Sequence, residues 1–361
     1  MTDCNTLHFR PIPPRTLPRV ADAGWSRDLF KIAPGPLPVA VAARVAVATG
    51  IPLLWGLAAG QTIAGVIAAA CALLVTMADI GTTRASRAGS MAAAALAMIL
   101  GGTIGAKFGG TTYADEAVVL AAAAVAGWVS GSHPSIAAVA RFGAIATAAG
   151  AGLQFSDPIV AAAALAGGAL AIAVTFVGWW ITGVPAADNA MDWRAGLRLA
   201  LAGANAGPWF AICYAVACAI ALFAASELGV ARPYWATVTV MMVMRREGLM
   251  SLELVIHYMV GTLAGILAAA ALQWAFPAPL ALALLATAFA AFARFGLALN
   301  PGLGFAAFTV FFVLAVDLAV AGSSLAAHIL STRFYDVAVG CAIALAGTLA
   351  VRALTRPAAA A

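Results

Sequence analysis

Apolar runs of about 17 to 25 residues, the length at which a helix crosses a bilayer, recur along most of this chain. They are divided by short breaks that carry basic residues singly or in pairs. Such segments read near 38–59, 62–80, 89–108, 115–131, 134–153, 158–182, 208–227, 233–250, 252–275, 278–296, 301–321 and 334–354. That predicts about twelve transmembrane helices. A soluble fold would need a polar shell that the chain does not have, since 64% of the 361 residues are hydrophobic and 9% are charged, against roughly 25% charged residues in soluble domains. The apolar excess lies in Ala, Gly, Val and Leu, which suits closely packed helices and not the alternation of a β-barrel. The expected fold class is an all-α integral membrane protein.

The basic residues orient the segments. With the N-terminus cytoplasmic, fifteen of the nineteen Lys and Arg residues fall on the inner side. Lys107, Arg232 and Arg333 fall outside, and Arg44 falls within a span. This is the asymmetry of positive-inside insertion, so both termini are expected to be cytoplasmic. Residues 1–38 are polar and proline-rich with Arg10, Arg15, Arg19 and Arg27, and no cleavable signal sequence reads there. The net charge of +5 is spread between apolar runs, a topology signal that points away from nucleic acid as a partner. Cys71, Cys213, Cys218 and Cys341 lie inside apolar runs, Cys4 lies in the tail, and no CxxC occurs. Neither a metal site nor a disulfide is expected. No P-loop, HExxH or GxSxG is present, so an enzyme or an ATP-driven pump has no visible machinery, and no cofactor is implied.

The order of features repeats. "GWSRDLFKI" (24–32) and "DWRAGLRLALAGA" (192–204) each place Trp beside basic residues, as an interfacial helix does. Each is followed by two spans and a basic pair, Arg84 with Arg87 and Arg245 with Arg246, predicted to lie at the cytoplasmic mouth. A third span then carries glycines at the spacing that lets helix backbones approach: Gly101 and Gly105 in one half, Gly261 and Gly265 in the other. The expected organisation is a tail (1–36), a six-helix module (37–185), a linker with an interfacial helix (186–207), a second six-helix module (208–355) and a short tail (356–361). Six is even, so the two modules insert in the same sense as a parallel repeat. Small-residue faces of this kind are also compatible with a homo-oligomer.

Ionisable and aromatic residues in or beside spans are the candidates for function. In "RPYWATVTVMMVMRRE" (232–247), Tyr234 and Trp235 suit an outer aromatic belt, with Arg245 and Arg246 inside. Arg44 lies about two turns into the first span, where it either binds a carboxylate or snorkels to the inner surface. Asp79 lies near Arg84 and Arg87, as an ion-pair partner or a proton relay. His257 is the side chain suited to titrate near neutral pH, and Arg294 closes an inner loop before "LNPGLG" (299–304). Asp317 and Asp336 flank an outer loop with His328 and Arg333. Met241, Met242, Met244, Met250 and Met259 read as packing, because no His, Met and Cys set has ligand spacing.

"RPYWATVTVMMV" followed by "HYMVGTLAG" resembles the second membrane module of the fusaric acid resistance, or aromatic acid exporter, family. "AARVAVATGIPLLWGLAAGQ" (42–61), "ALLVTMADIG" (72–81) and "RFYDVAVGCAIAL" (333–345) are similar to its other membrane segments. Tyr258 stands where the family's R-x-x-G-T arginine is expected, and Arg245 with Arg246 where its Gln-Pro turn is expected. The connection from Gly183 to Arg194 leaves no room for the large cytoplasmic domain many members carry. The resemblance implies a bacterial inner-membrane secondary transporter that exports organic anions, above all aromatic carboxylic acids. The alternatives are an anion channel of the same architecture and a membrane scaffold without a solute path.

Overall fold

The computed structural model describes residues 31–32, 38–81, 83–110, 113–153, 158–184, 193–202, 207–228, 234–244, 248–319 and 326–355. Among them every regular element is helical. In chain order these are α1 (Val39–Ala58), α2 (Thr62–Met77), α3 (Arg84–Phe108), α4 (Ala114–Val129), α5 (Pro134–Leu153), α6 (Pro158–Thr182) and α7 (Trp193–Leu201). They continue with α8 (Pro208–Glu227), α9 (Tyr234–Val243), α10 (Gly248–Ala275), α11 (Pro279–Leu299), α12 (Pro301–Ala319) and α13 (Ala326–Thr355). Five of them begin on a proline, where the missing N–H would have had no partner within the helix.

Each of the twelve apolar segments falls on a helix, but the helices differ in reach. Among the described residues nine are long and apolar enough to cross a membrane, while Thr62–Met77 and Tyr234–Val243 are shorter apolar helices. The segment expected as one span over 233–250 differs most: α9 has 10 residues, and α10 starts at Gly248. At about 1.5 Å per residue, α9 covers roughly half of a hydrocarbon layer of about 30 Å. Eight of its residues are buried, so its depth is set by neighbouring helices and not by lipid. Arg245 and Arg246 lie outside the described residues, as does most of the expected interfacial segment 24–32.

The helices of α1–α6 pair in a pattern that recurs in α8–α13. In each set the first packs on the second and the sixth, the second on the sixth, the third on the fifth and the sixth, and the fourth on the fifth. The two sets meet reciprocally: α1 packs on α11 while α4 packs on α8, and α2 packs on α12 while α5 packs on α9. The α2, α5, α9 and α12 contacts therefore lie along the seam between the two sets.

Close backbone approach makes these pairings. A side chain at Gly101 or Gly105 of α3 would run into the carbonyl oxygens of Gly143 or Thr147 of α5. One at Gly261 or Gly265 of α10 would meet those of Gly302 or Ala306 of α12. In both pairs residue numbers rise together, so the partners run parallel. The second and sixth helices approach likewise, at Gly167 against Ala68 and at Gly340 against Ala236. Even the caps correspond: His133 Nδ1 accepts from the Ser135 N–H at 3.3 Å, and Asn300 Oδ1 accepts from the Gly302 N–H at 2.8 Å, each across a proline that starts a helix.

Gly105→Leu should lower the stability of the detergent-solubilised protein by about 1–3 kcal/mol through overpacking. Leu100→Ala on the same helix, at a side chain 61% exposed on the outer surface, should change it by less than about 0.5 kcal/mol. Thermal unfolding of the two variants beside the wild type checks this, and equal effects would contradict the α3–α5 packing.

Candidate functional site

The turn from α2 into α3 is built around one carboxylate. Thr83 caps α3 by accepting from the Ser86 N–H at 3.1 Å, and the Ser90 hydroxyl donates back to the Ile80 carbonyl at 2.9 Å. Gly81, at a φ of +154°, lets the chain pass so close that a Cβ there would meet Ser86 and Arg87. This folded turn carries Asp79 under the first turn of α3. Arg87 reaches across it, donating from Nη1 to Asp79 Oδ1 at 3.0 Å and to the Asp79 carbonyl at 3.2 Å. Arg84 and Arg87 both stand in the first turn of α3, where the helix dipole disfavours positive charge. The Asp79 carboxylate offsets that at Arg87, while Arg84 is exposed.

A second guanidinium comes from α1. Arg44 holds its Nε–H against the Ala40 carbonyl at 3.1 Å and brings Nη1 to 3.9 Å from Asp79 Oδ2. Its methylene stem lies over Gly178 of α6, where a Cβ would collide with the Arg44 side chain. No hydrogen-bond acceptor meets Arg44 Nη1, and the indole N–H of the fully buried Trp179, the next residue of α6, also lacks one. Arg44, Asp79 and Arg87 are 7%, 7% and 6% exposed. Among the described residues the cluster brings two buried cations and one buried anion together, and Arg44 Nη1 has a charge contact with Asp79 but no hydrogen bond. A carboxylate placed beside Arg44 would supply a charge-assisted one. Half-buried Arg294 of α11 joins the rim, with Nη1 3.7 Å from the Met77 sulfur at the end of α2.

The other candidates sit apart from this cluster. Tyr234 and Trp235 were expected in an outer aromatic belt, and the structure places them differently. Tyr234 is 4% exposed, its ring fills the space above Gly152 of α5, and it packs on Trp235 at 5.4 Å, which meets Phe312 of α12 at 6.0 Å. The ring cluster closes the seam between the two helix sets at the end of α5 away from Asp79. Buried His257 keeps Nδ1 2.9 Å from the Glu253 carbonyl one turn earlier and lies against Gly302 at the start of α12. The Tyr258 ring packs at a tilt against Phe305, with centroids 4.8 Å apart. Asp336, read as a loop charge, is 1% exposed on α13. Gly178 and Trp179 are the residues that sequence reasoning missed, and the only available signal was a Gly-Trp pair inside an unbroken apolar run.

Comparison with known proteins bears on the second set of helices. The chain matches the fusaric acid resistance protein-like family over residues 217–347. That stretch runs from within α8 to within α13 and contains α9, Tyr234, Trp235, His257, Tyr258 and Arg294. The resemblance carried by "RPYWATVTVMMV" and "HYMVGTLAG" is supported over this module, and residues 1–216, with the buried charge cluster, lie beyond the matched stretch. No curated protein and no solved structure matches the chain.

Arg87→Met should destabilise the protein by about 3 kcal/mol, because it leaves Asp79 buried with its nearer partner gone. Arg84→Met, at the exposed side of the same turn, should cost less than about 0.5 kcal/mol. Denaturant or thermal unfolding in one detergent distinguishes the pair.

Proposed function

We propose that this chain is a secondary transporter of organic anions, exporting aromatic carboxylates across a bacterial inner membrane. One observation carries the reading: Arg44 and Arg87 are buried around the carboxylate of Asp79, with Arg44 Nη1 lacking a hydrogen-bond acceptor. Two guanidiniums facing one carboxylate offer a second carboxylate charge-assisted hydrogen bonds in a water-poor setting, where such bonds are strongest. The aromatic part of the substrate and the outward direction rest on the family match over residues 217–347.

The architecture that goes with this reading is two six-helix repeats inserted in the same sense. Recurring pairings within α1–α6 and α8–α13, and the reciprocal contacts between them, support a pseudo-twofold axis along the membrane normal. The short α2 and α9 then cross as buried members of the bundle. The partners of the protein are a small organic anion and the lipid bilayer. With the interior negative, expelling one negative charge gains about 2.3 kcal/mol per 100 mV, so potential alone can drive export.

Inverted inner-membrane vesicles containing the protein should take up radiolabelled benzoate when a potential is imposed, and Arg44→Gln should abolish that uptake while leaving the protein folded. Folded wild-type protein that moves no aromatic carboxylate would instead make the chain a scaffold. A reporter active only in the periplasm should stay silent at either terminus, and activity at the C-terminus would overturn the orientation.

A further inference from the structure

Two buried donors near the Asp79 turn meet no hydrogen-bond acceptor: Nη1 of Arg44 on α1 and the indole N–H of Trp179 on α6. We propose that they hold one carboxylate between them, with one oxygen accepting from Arg44 and the other from Trp179. This rests on the anion-transport reading above and adds Trp179 to it as a substrate-binding residue.

Helix register brings the two donors to one level. Trp55 of α1, Ala64 of α2 and Ile159 of α6 line one groove, and Gly178 of α6 lies on the Arg44 stem, so α6 runs from the end of α1 back to its start. Along α2, Gly167 meets Ala68; twelve residues further on, Trp179 is level with the turn that holds Asp79. Against α3, which returns in the opposite sense, Gly168 meets Ala95. Eleven residues along α6 and eleven back along α3 bring Trp179 level with Arg84, in the first turn that also carries Arg87. Eleven residues make about three turns at 3.6 per turn. Trp179 therefore shares the face of Gly168 that looks onto α2 and α3, while Gly178 faces α1, and the indole stands in the angle between Arg44 and the Asp79–Arg87 pair.

The chemistry of the pair selects the ligand. A guanidinium and an indole N–H donate and cannot accept, so the group between them must be an acceptor, and the charge of Arg44 favours an anion. Asp79 is bound by Arg87 through Oδ1 at 3.0 Å and reaches Arg44 only at 3.9 Å, which leaves Arg44 Nη1 a hydrogen bond to give. Arg44 is 7% exposed and Trp179 0%, a water-poor setting in which such bonds are strong. A buried donor left unsatisfied destabilises the protein that holds it. Removing the indole N–H without changing the ring shape should therefore relieve the ligand-free protein and weaken ligand binding. An N–H bonded within the fold would have the opposite effect on the ligand-free protein.

The test is thermal unfolding of the full chain in detergent at constant ionic strength, with benzoate, the uncharged benzamide or chloride added. Wild type is compared with a chain in which β-(3-benzothienyl)alanine, with sulfur where the N–H stands, replaces Trp179. Benzoate should raise the melting temperature of wild type and benzamide should not. Without ligand the substituted chain should melt no lower than wild type. It should bind benzoate about tenfold more weakly or worse, the loss of one hydrogen bond to a charged group. Equal benzoate affinity in the two chains overturns the role of Trp179 and leaves anion transport standing. A substituted chain that melts well below wild type without ligand overturns it too, since the N–H is then bonded within the fold. Chloride stabilising wild type more than benzoate does assigns the pair to an inorganic ion and overturns it as well. Wild type that benzoate does not stabilise overturns the proposal whether or not the substituted chain folds, and benzoate uptake by vesicles holding the wild type then decides whether the transport reading falls with it.

Discussion

Helices in hydrocarbon gain little by hiding leucine from lipid, because the lipid is as apolar as the leucine, so close van der Waals fit has to hold them together. Everything in this bundle depends on that constraint. Gly101 and Gly105 let α3 settle onto the carbonyl oxygens of α5, and Gly261 and Gly265 do the same for α10 on α12. Alanine fills the rest of the interior: the buried core includes Ala48, Ala72, Ala123, Ala148, Ala221 and Ala236. Leucines such as Leu96 and Leu100 face outward. At two places a glycine makes room for a large side chain, as for Tyr234 above Gly152 and the stem of Arg44 above Gly178.

Such packing is what permits a charge cluster in the interior. Arg44, Asp79 and Arg87 are 7%, 7% and 6% exposed, so neighbouring protein groups must do most of the work of solvating them. The turn at Gly81 and the Ser90 hydrogen bond to Ile80 hold Asp79 under α3. The position of its carboxylate is thus set by the local fold of the turn, with Arg87 reaching across to it. In the second set the Tyr214 hydroxyl donates to the Met241 carbonyl and the Thr237 hydroxyl to the Cys218 carbonyl, tying α8 to α9.

Most of the helices were legible because hydropathy and proline placement act locally. Pro134, Pro158, Pro208, Pro279 and Pro301 mark starts that need no tertiary information. The glycine spacings were legible for a similar reason, since residues four apart share a helix face. Depth and partner choice were not. An apolar run reads the same whether lipid or protein covers it, so "PYWATVTVMMV" looked like a lipid-crossing span with a belt of aromatics, although α9 is buried and about half a bilayer long. The ionic site was half visible: Arg44, Asp79 and Arg87 stand out as charges near apolar runs, yet their meeting depends on α1, α3 and α6 converging. Trp179 gave no signal at all, because the burial that strands its N–H is created by packing.

Among the described residues the two sets bury charge differently: Arg44, Asp79 and Arg87 meet in the first, whereas the second buries Asp336 on α13. Burying charge costs far more than burying alanine. Each interior guanidinium needs a compensating anion. Along α8 and α9 the second set presents Cys213, Cys218 and Met241, side chains that need little solvation. A charged cluster is stable only where neighbouring groups match it, and Arg87, reaching across the folded α2–α3 turn, does this for Asp79.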